Sequence, residues 1–211
     1  MENEFKSIIF NPRTGIDFRL NSARLIYGSL GIMILYLILT QLFQTTSETD
    51  MAVFIILCLL IIVGARWSFN EKQKKFGYLD GELKITEQNI SINGKEYDWQ
   101  EISNFSFDIQ QVLNEPLWED DSWGAYRFYG GPSFSQGVDS YIDFDSTYGH
   151  IRTYFQLESS SHKVDLVNLI RRHFFLGNIE LQRTYNGLHL EYEQIQELKK
   201  EKAQWANVKS S

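Results

Sequence analysis

The residues of this chain from which chemistry can be built are its clustered acids and its histidines. Glu119, Asp120 and Asp121 stand in succession, with Asp139 and Asp143 following, a set that can offer oxygen ligands to a hard cation. Calcium loops place their acids at every second position, so three consecutive acids read better as a solvated turn. His150, His162, His173 and His189 are scattered without ligand spacing. No Ser-His-Asp set, no paired carboxylates for acid/base work, no glycine loop ahead of a helix and no HExxH helix can be found. Cys58 is the single cysteine and lies in an apolar run, so no disulfide and no thiol cluster can form within the chain. The expectation is a protein without catalytic residues, metal site or cofactor, and not an enzyme.

Two stretches suit recognition better than reaction. Residues 116–137, PLWEDDSWGAYRFYGGPSFSQG, are too long for an ordinary connection and too aromatic for disorder. They read as an ordered recognition loop, with Trp118, Glu119, Asp120, Asp121, Trp123 and Tyr126 as partner-binding residues, or as an insertion covering the domain's own edge. Near the C-terminus, Tyr192, Ile195, Leu198 and Trp205 form a thin apolar stripe on a helix with leading acids and trailing bases. Docking on the parent domain is the first expectation for that stripe, followed by pairing with a partner helix or lying on a membrane through Lys199, Lys200 and Lys202.

The elements that would carry these stretches divide the chain. Leu25 to Phe43 is an uncharged run of nineteen residues, about 28 Å as a helix and close to the hydrocarbon thickness of a bilayer. Met51 to Ala65 is a second run, extended by Arg66, which can snorkel, and Trp67, which suits the headgroup level. The short QTTSETD connection makes them an antiparallel hairpin over 25–69, with spans at about 25–43 and 51–67. Lys6, Arg13, Arg19 and Arg24 before it and Arg66, Lys72, Lys74 and Lys75 after it place both termini in the cytoplasm. Gly28, Ser29 and Gly31 match Gly64 and Ala65 in depth, a seam for close helix approach or for a partner in the membrane.

From residue 82 the pattern alternates. Leu83 and Ile85, then Ile90 and Ile92, then an Asn93-Gly94 turn into Lys95 to Trp99, predict a hairpin series. Ile102 to Val112, Tyr141 to Phe144 and Ile151 to Leu157 continue it, giving about six strands of an antiparallel sheet bent on itself. Ser159 to Ser161 can cap a helix over His162 to Phe175 that closes the sheet. Residues 76–211 carry twelve Lys/Arg against twenty-one Asp/Glu, about −9, a sign that excludes a nucleic-acid footprint and opposes anionic lipid.

A two-span hairpin followed by GELKITEQNISINGKEYDWQEISNFSF, further strands and an amphipathic helix resembles the small bacterial membrane proteins whose cytoplasmic part is a pleckstrin-homology-like domain. The resemblance covers roughly Gly81 to Phe175, with Trp99 and Ile102 settling a strand against the core. It implies an α+β fold, a bent seven-stranded antiparallel sheet capped by one helix, and protein or lipid binding without catalysis. The expected organisation is a cytoplasmic N-terminal segment 1–24, the transmembrane hairpin, a PH-like domain 76–177 with inserted loop 114–137, and a helical tail 178–211. The expected role is a membrane-tethered interaction module in a bacterial inner membrane, with a protein partner at the cytoplasmic face and no specific anionic headgroup. The alternative is a membrane-surface enzyme or metal-dependent sensor using the acidic loop.

Overall fold

Phe5, Ser7 and Ile9 alternate with Lys6 and Ile8, and this short N-terminal pattern proves to be a strand. A computed structural model of the protein describes residues 4–15, 18–43, 48–117 and 132–209. Strand β1 (Phe5–Pro12) is followed by two apolar helices, α1 (Ser22–Phe43) and α2 (Glu48–Ser68), and only then by β2 (Gly77–Ile85). β3 (Asn89–Ile92), β4 (Lys95–Asp98), β5 (Ser103–Asp108), β6 (Ser140–Ser146), β7 (Gly149–Phe155), α3 (Ser160–Leu176), α4 (Leu181–Gly187) and α5 (Tyr192–Lys209) complete the order.

The strands make one antiparallel sheet in the order β4-β3-β2-β1-β7-β6-β5. Two sequential meanders, β2-β3-β4 and β5-β6-β7, are joined only through β1. The six expected strands are present, and the seventh comes from residues assigned by sequence to the cytoplasmic segment 1–24. The sheet domain therefore does not begin at residue 76. β1 runs antiparallel to β2 from Phe5↔Ile85 to Pro12↔Gly77, and meets β7 at Ile9↔Phe155 and Phe10↔Tyr154. Where the chain leaves and re-enters the sheet, the Arg13 amide donates to the Phe76 carbonyl at 2.9 Å, so α1 and α2 are an insertion between two paired strands.

The sheet curls until its ends share a core. Tyr97 of β4 lies 5.4 Å, ring to ring, from Phe144 of β6, and Trp99 lies 5.0 Å from Phe105, although five strand steps separate β4 from β6 in the sheet order. Phe5, Leu83, Ile85, Ile90, Phe144, Phe155 and Leu157 fill the interior. The Asn93-Gly94 turn has both residues at positive φ, +53° and +80°, as a tight hairpin of matching twist requires. Ser159 caps α3 by accepting from the His162 amide, and Leu166, Leu169, Ile170 and Phe174 bury its inner face.

The two sheet edges are handled differently. β5 is covered by α4: Arg183 Nη1 donates to the Phe105 carbonyl and the Ile109 amide to the Gly187 carbonyl, each at 3.0 Å. Any side chain at Gly187 would strike the backbone and ring of Phe107, which is why the helix can lie this close. β4 is a four-residue strand bearing Lys95, Glu96 and Asp98, and charge on a short edge opposes pairing with other chains.

The chain divides into two compact units, one of residues Met1–Thr14, Lys75–Leu113 and Gln136–Ser211, the other of Gly15–Lys74 and Asn114–Ser135. In the second unit, α1 and α2 pack antiparallel. A Cβ at Gly64 would sit 2.7 Å from Ile26 Cγ1, so the expected glycine seam is used there, whereas Gly28 and Gly31 face open space. At about 1.5 Å per residue the helices are roughly 33 and 31 Å long, sufficient for a bilayer core. The two windows that qualify as spans are only 11% and 17% buried, so their apolar side chains point outward, unlike those of a soluble core helix.

Because β1 is internal to the sheet, residues 76–211 expressed alone should fail to give a cooperative unfolding transition. Residues 1–13 joined to 76–211 through an Asn-Gly turn should fold as a soluble, strand-rich protein, and adding Phe5→Ala to it should cost about 3–5 kcal/mol in urea titrations. A stable, cooperatively folded 76–211 fragment would refute the role given to β1.

Candidate interaction surface

Strand alternation sends Ile142, Phe144 and Phe155 into the core and leaves a second set of β6 and β7 side chains on the outer face. The register sets Tyr141 opposite Tyr154, Asp143 opposite Arg152 and Asp145 opposite His150. Cross-strand neighbours of this kind hold one another's rotamers. The Tyr141 and Tyr154 rings lie 5.7 Å apart, and the Arg152 guanidinium stands 4.0 Å above the first and 5.4 Å from the second. Asp143 is 3.9 Å from the Arg152 Nε and steadies that stack.

The carboxylate row continues toward the β6-β7 turn. His150 Nδ1 lies 3.0 Å from Asp145 and its Nε2 3.5 Å from Asp143. Asp145 also accepts from the Asn104 side-chain amide at 2.8 Å, and Asn104 in turn accepts from Arg183 at 3.0 Å. Asn104 reaches both because it sits at φ +55° where the β5-β6 register slips, a bulge that re-aims its side chain. The Asn104 hydrogen bond, and after it that of His150, holds the Asp145 carboxyl below its usual range. At the turn itself, Tyr148 is 70% exposed and lies 3.6 Å beneath the Lys95 ammonium of β4.

This face presents aromatic and cationic side chains held by neighbouring carboxylates. Tyr and Arg presented on a rigid sheet are the side chains that most often anchor protein interfaces. No nucleophile stands beside a base on it. Among the described residues no three His, Cys, Asp or Glu side chains gather in a way that would hold a metal ion.

Of the expected partner-binding residues, Trp118, Glu119, Asp120, Asp121, Trp123 and Tyr126 lie outside the described residues. The flanks of their loop are described, and these belong to the same unit as the hairpin. Phe134 forms bridges to Pro116 and to Lys72, and the Ser133 and Phe134 amides donate to the Glu71 carbonyl at 2.9 and 3.2 Å. The flanks thus pair with each other and, through Ser133 and Phe134, lie against the linker that follows α2. On α5, Leu198 is fully buried, Ile195 and Trp205 are half-buried, and Tyr192 is 75% exposed. The Trp205 ring lies 6.2 Å from Phe175 of α3, Lys202 donates to the Phe174 carbonyl at 2.8 Å, and Arg171 pairs with Glu201 at 3.5 Å. The stripe docks on the parent helix, leaving Tyr192 facing solvent.

The histidines have separate local partners. His189 lies 2.6 Å from Asp108. His162 Nε2 donates to the Lys6 carbonyl at 2.6 Å and its ring stacks on Phe5, tying α3 to β1. His173 is completely buried: Nε2 donates to the Thr86 carbonyl at 3.0 Å, Nδ1 accepts from Asn178 at 3.0 Å, and the ring stacks on Trp99 at 3.9 Å. The Thr86 carbonyl takes a second bond from Trp99 Nε1 at 3.1 Å. Both ring nitrogens are satisfied only in the neutral form.

No protein-family model, no curated protein and no solved structure matches this chain.

Desolvation holds the His173 pKa down to about 4, against 6.5 for the free side chain. The unfolded chain therefore binds the proton first as pH falls, so the full stability is present above pH 6.5 and is lost progressively down to pH 4. Denaturant titrations of the full chain in detergent should give a stability about 2 kcal/mol lower at pH 5 than at pH 7.5 from this group. His173→Gln should flatten that part of the slope, and an unchanged slope would show that the imidazole titrates normally.

Proposed function

We propose that this chain is a membrane-tethered interaction module that engages another protein through the outer face of β6 and β7, without catalysis. The observation that carries the reading is the preorganised Tyr141–Arg152–Tyr154 stack, framed by Asp143, Asp145 and His150 and continued by Tyr148. Its components are rigid, aromatic and cationic, a composition suited to a small energetic centre within a larger interface. The acidic, aromatic sequence between 114–117 and 132–135 is the second candidate for partner contact.

The membrane tether rests on two supports. The apolar faces of α1 and α2 point outward, and in water that surface would drive aggregation. β1 precedes the helices and β2 follows them, yet the two are hydrogen-bonded neighbours. One crossing would strand them on opposite sides of a bilayer, and a leader cleaved after the first apolar run would remove β1 altogether. Two crossings keep the sheet together. With bases flanking both ends, the sheet domain and both termini lie in the cytoplasm, at the inner membrane of a bacterium. Seven strands closed by one helix favour a pleckstrin-homology-like fold for that domain.

Affinity purification of the full chain in mild detergent tests the binding role. Tyr148→Ala with Arg152→Ala should deplete a co-purifying protein at least tenfold while circular dichroism stays unchanged, and equal recovery would overturn the assignment of this face. Reporters after Ser211 and at Ser47 test the tether: opposite sides are expected, and the same side would end the two-span reading.

A further inference from the structure

At the end of the hairpin where α1 begins and α2 ends, bases and apolar side chains alternate in two segments. Phe18-Arg19-Leu20 leads into α1, and Arg66-Trp67-Ser68-Phe69 closes α2, with Lys72 and Lys74 just beyond. Phe18 is 86% and Leu20 64% exposed, and Trp67 and Phe69 also point outward. None of these four is placed in the protein's own core.

Four bases at this end of the hairpin also stand apart from acids. In the sheet domain, bases sit beside acids: Lys6 and Lys84 at Glu4, Arg152 at Asp143, Arg172 at Glu87. Arg24, Arg66, Lys72 and Lys74 are exposed and have no carboxylate in ion-pair range among the described residues. Glu71, which immediately precedes Lys72, is turned away to cap α1, accepting from the Ser22 amide at 3.1 Å and from its hydroxyl. Arg19 reaches the Lys74 carbonyl at 3.3 Å, and Arg24 the Arg19 carbonyl at 2.5 Å, which links the approach to α1 with the exit from α2.

We infer that these residues form a collar that binds anionic phospholipids of the domain-side leaflet, the bases meeting headgroup phosphates while Phe18, Leu20, Trp67 and Phe69 enter the acyl boundary. The inference rests on the two-span reading. Orientation signals alone explain the bases; they do not explain exposed Phe18 and Leu20 outside the helices. The collar's bases are exposed side chains, so it reads net negative charge and not one headgroup. It also answers a need of the chain, since a domain of about −9 is repelled by the same leaflet.

The test uses the full chain reconstituted in phosphatidylcholine bilayers with trace spin-labelled phosphatidylglycerol or phosphatidylcholine, reading the motionally restricted lipid fraction by electron spin resonance. The boundary should prefer phosphatidylglycerol roughly fivefold, with ~1 kcal/mol for each base that engages. The preference should fall toward one in 0.5 M salt and in Arg24→Gln/Arg66→Gln/Lys72→Gln/Lys74→Gln, and should persist in Arg24→Lys/Arg66→Lys. Phe18→Ser/Leu20→Ser should weaken it at least twofold with the charges intact. Equal association of both labels, or a preference that survives the four glutamines, overturns the collar. Displacement of the restricted lipid by millimolar glycerophosphoglycerol also overturns it, by revealing a site for a soluble anion. Absence of any restricted lipid, of either label, would instead refute the two-span reading itself.

Discussion

The pairing of β1 with β2 on one side and with β7 on the other is the constraint on which the rest of the structure depends. Without β1 the two meanders share no hydrogen-bonded boundary, and Phe5 and Ile9 leave the shared core. The same pairing brings the ends of the α1-α2 insertion together at Arg13 and Phe76, so the hairpin must begin and end at one place. An insertion of this kind is tolerated because its entropic cost grows slowly with length and its ends are already adjacent. His162 adds a second hold on β1, through the Lys6 carbonyl and the face of Phe5.

Charge is arranged with equal economy. The sheet domain is acidic, and on its outer β6-β7 face Arg152 stands beside Asp143 while His150 lies against both Asp143 and Asp145, contacts that orient the aromatic stack. Around the hairpin base Arg24, Arg66, Lys72 and Lys74 have no such acid beside them among the described residues. The edges of the sheet follow the same division: α4 seals β5 through Arg183 and Gly187, and charged side chains protect β4. Both edges are thereby guarded against adventitious strand addition.

Much of this was legible in the sequence, and what was missed has a physical reason. Period-two alternation located β2 to β7, Asn93-Gly94 announced its turn, and Ser159 its cap, because each depends on neighbours a few residues away. β1 has the same alternation in Phe5, Ser7 and Ile9, but it is brief, and it stands ahead of an apolar run that reads as the start of a different domain. Its partners are about seventy and a hundred and fifty residues distant, a pairing that local periodicity does not encode. The Tyr141–Arg152–Tyr154 stack was missed similarly: each residue is ordinary in sequence, and only the β6-β7 register assembles them. The C-terminal stripe was visible as Ile195, Leu198 and Trp205, while its destination on α3 depended on the tertiary fold.

Hydrogen–deuterium exchange on the full chain in detergent micelles examines the β1 constraint without altering a residue. The amides of Ile8, Ile9 and Phe10 should exchange as slowly as those of Ile142 and Phe144 in β6, because all of them open only when the sheet opens. Exchange of the β1 amides within seconds, beside protected β6 amides, would contradict the account and return the N-terminal segment to a simple flank of the hairpin.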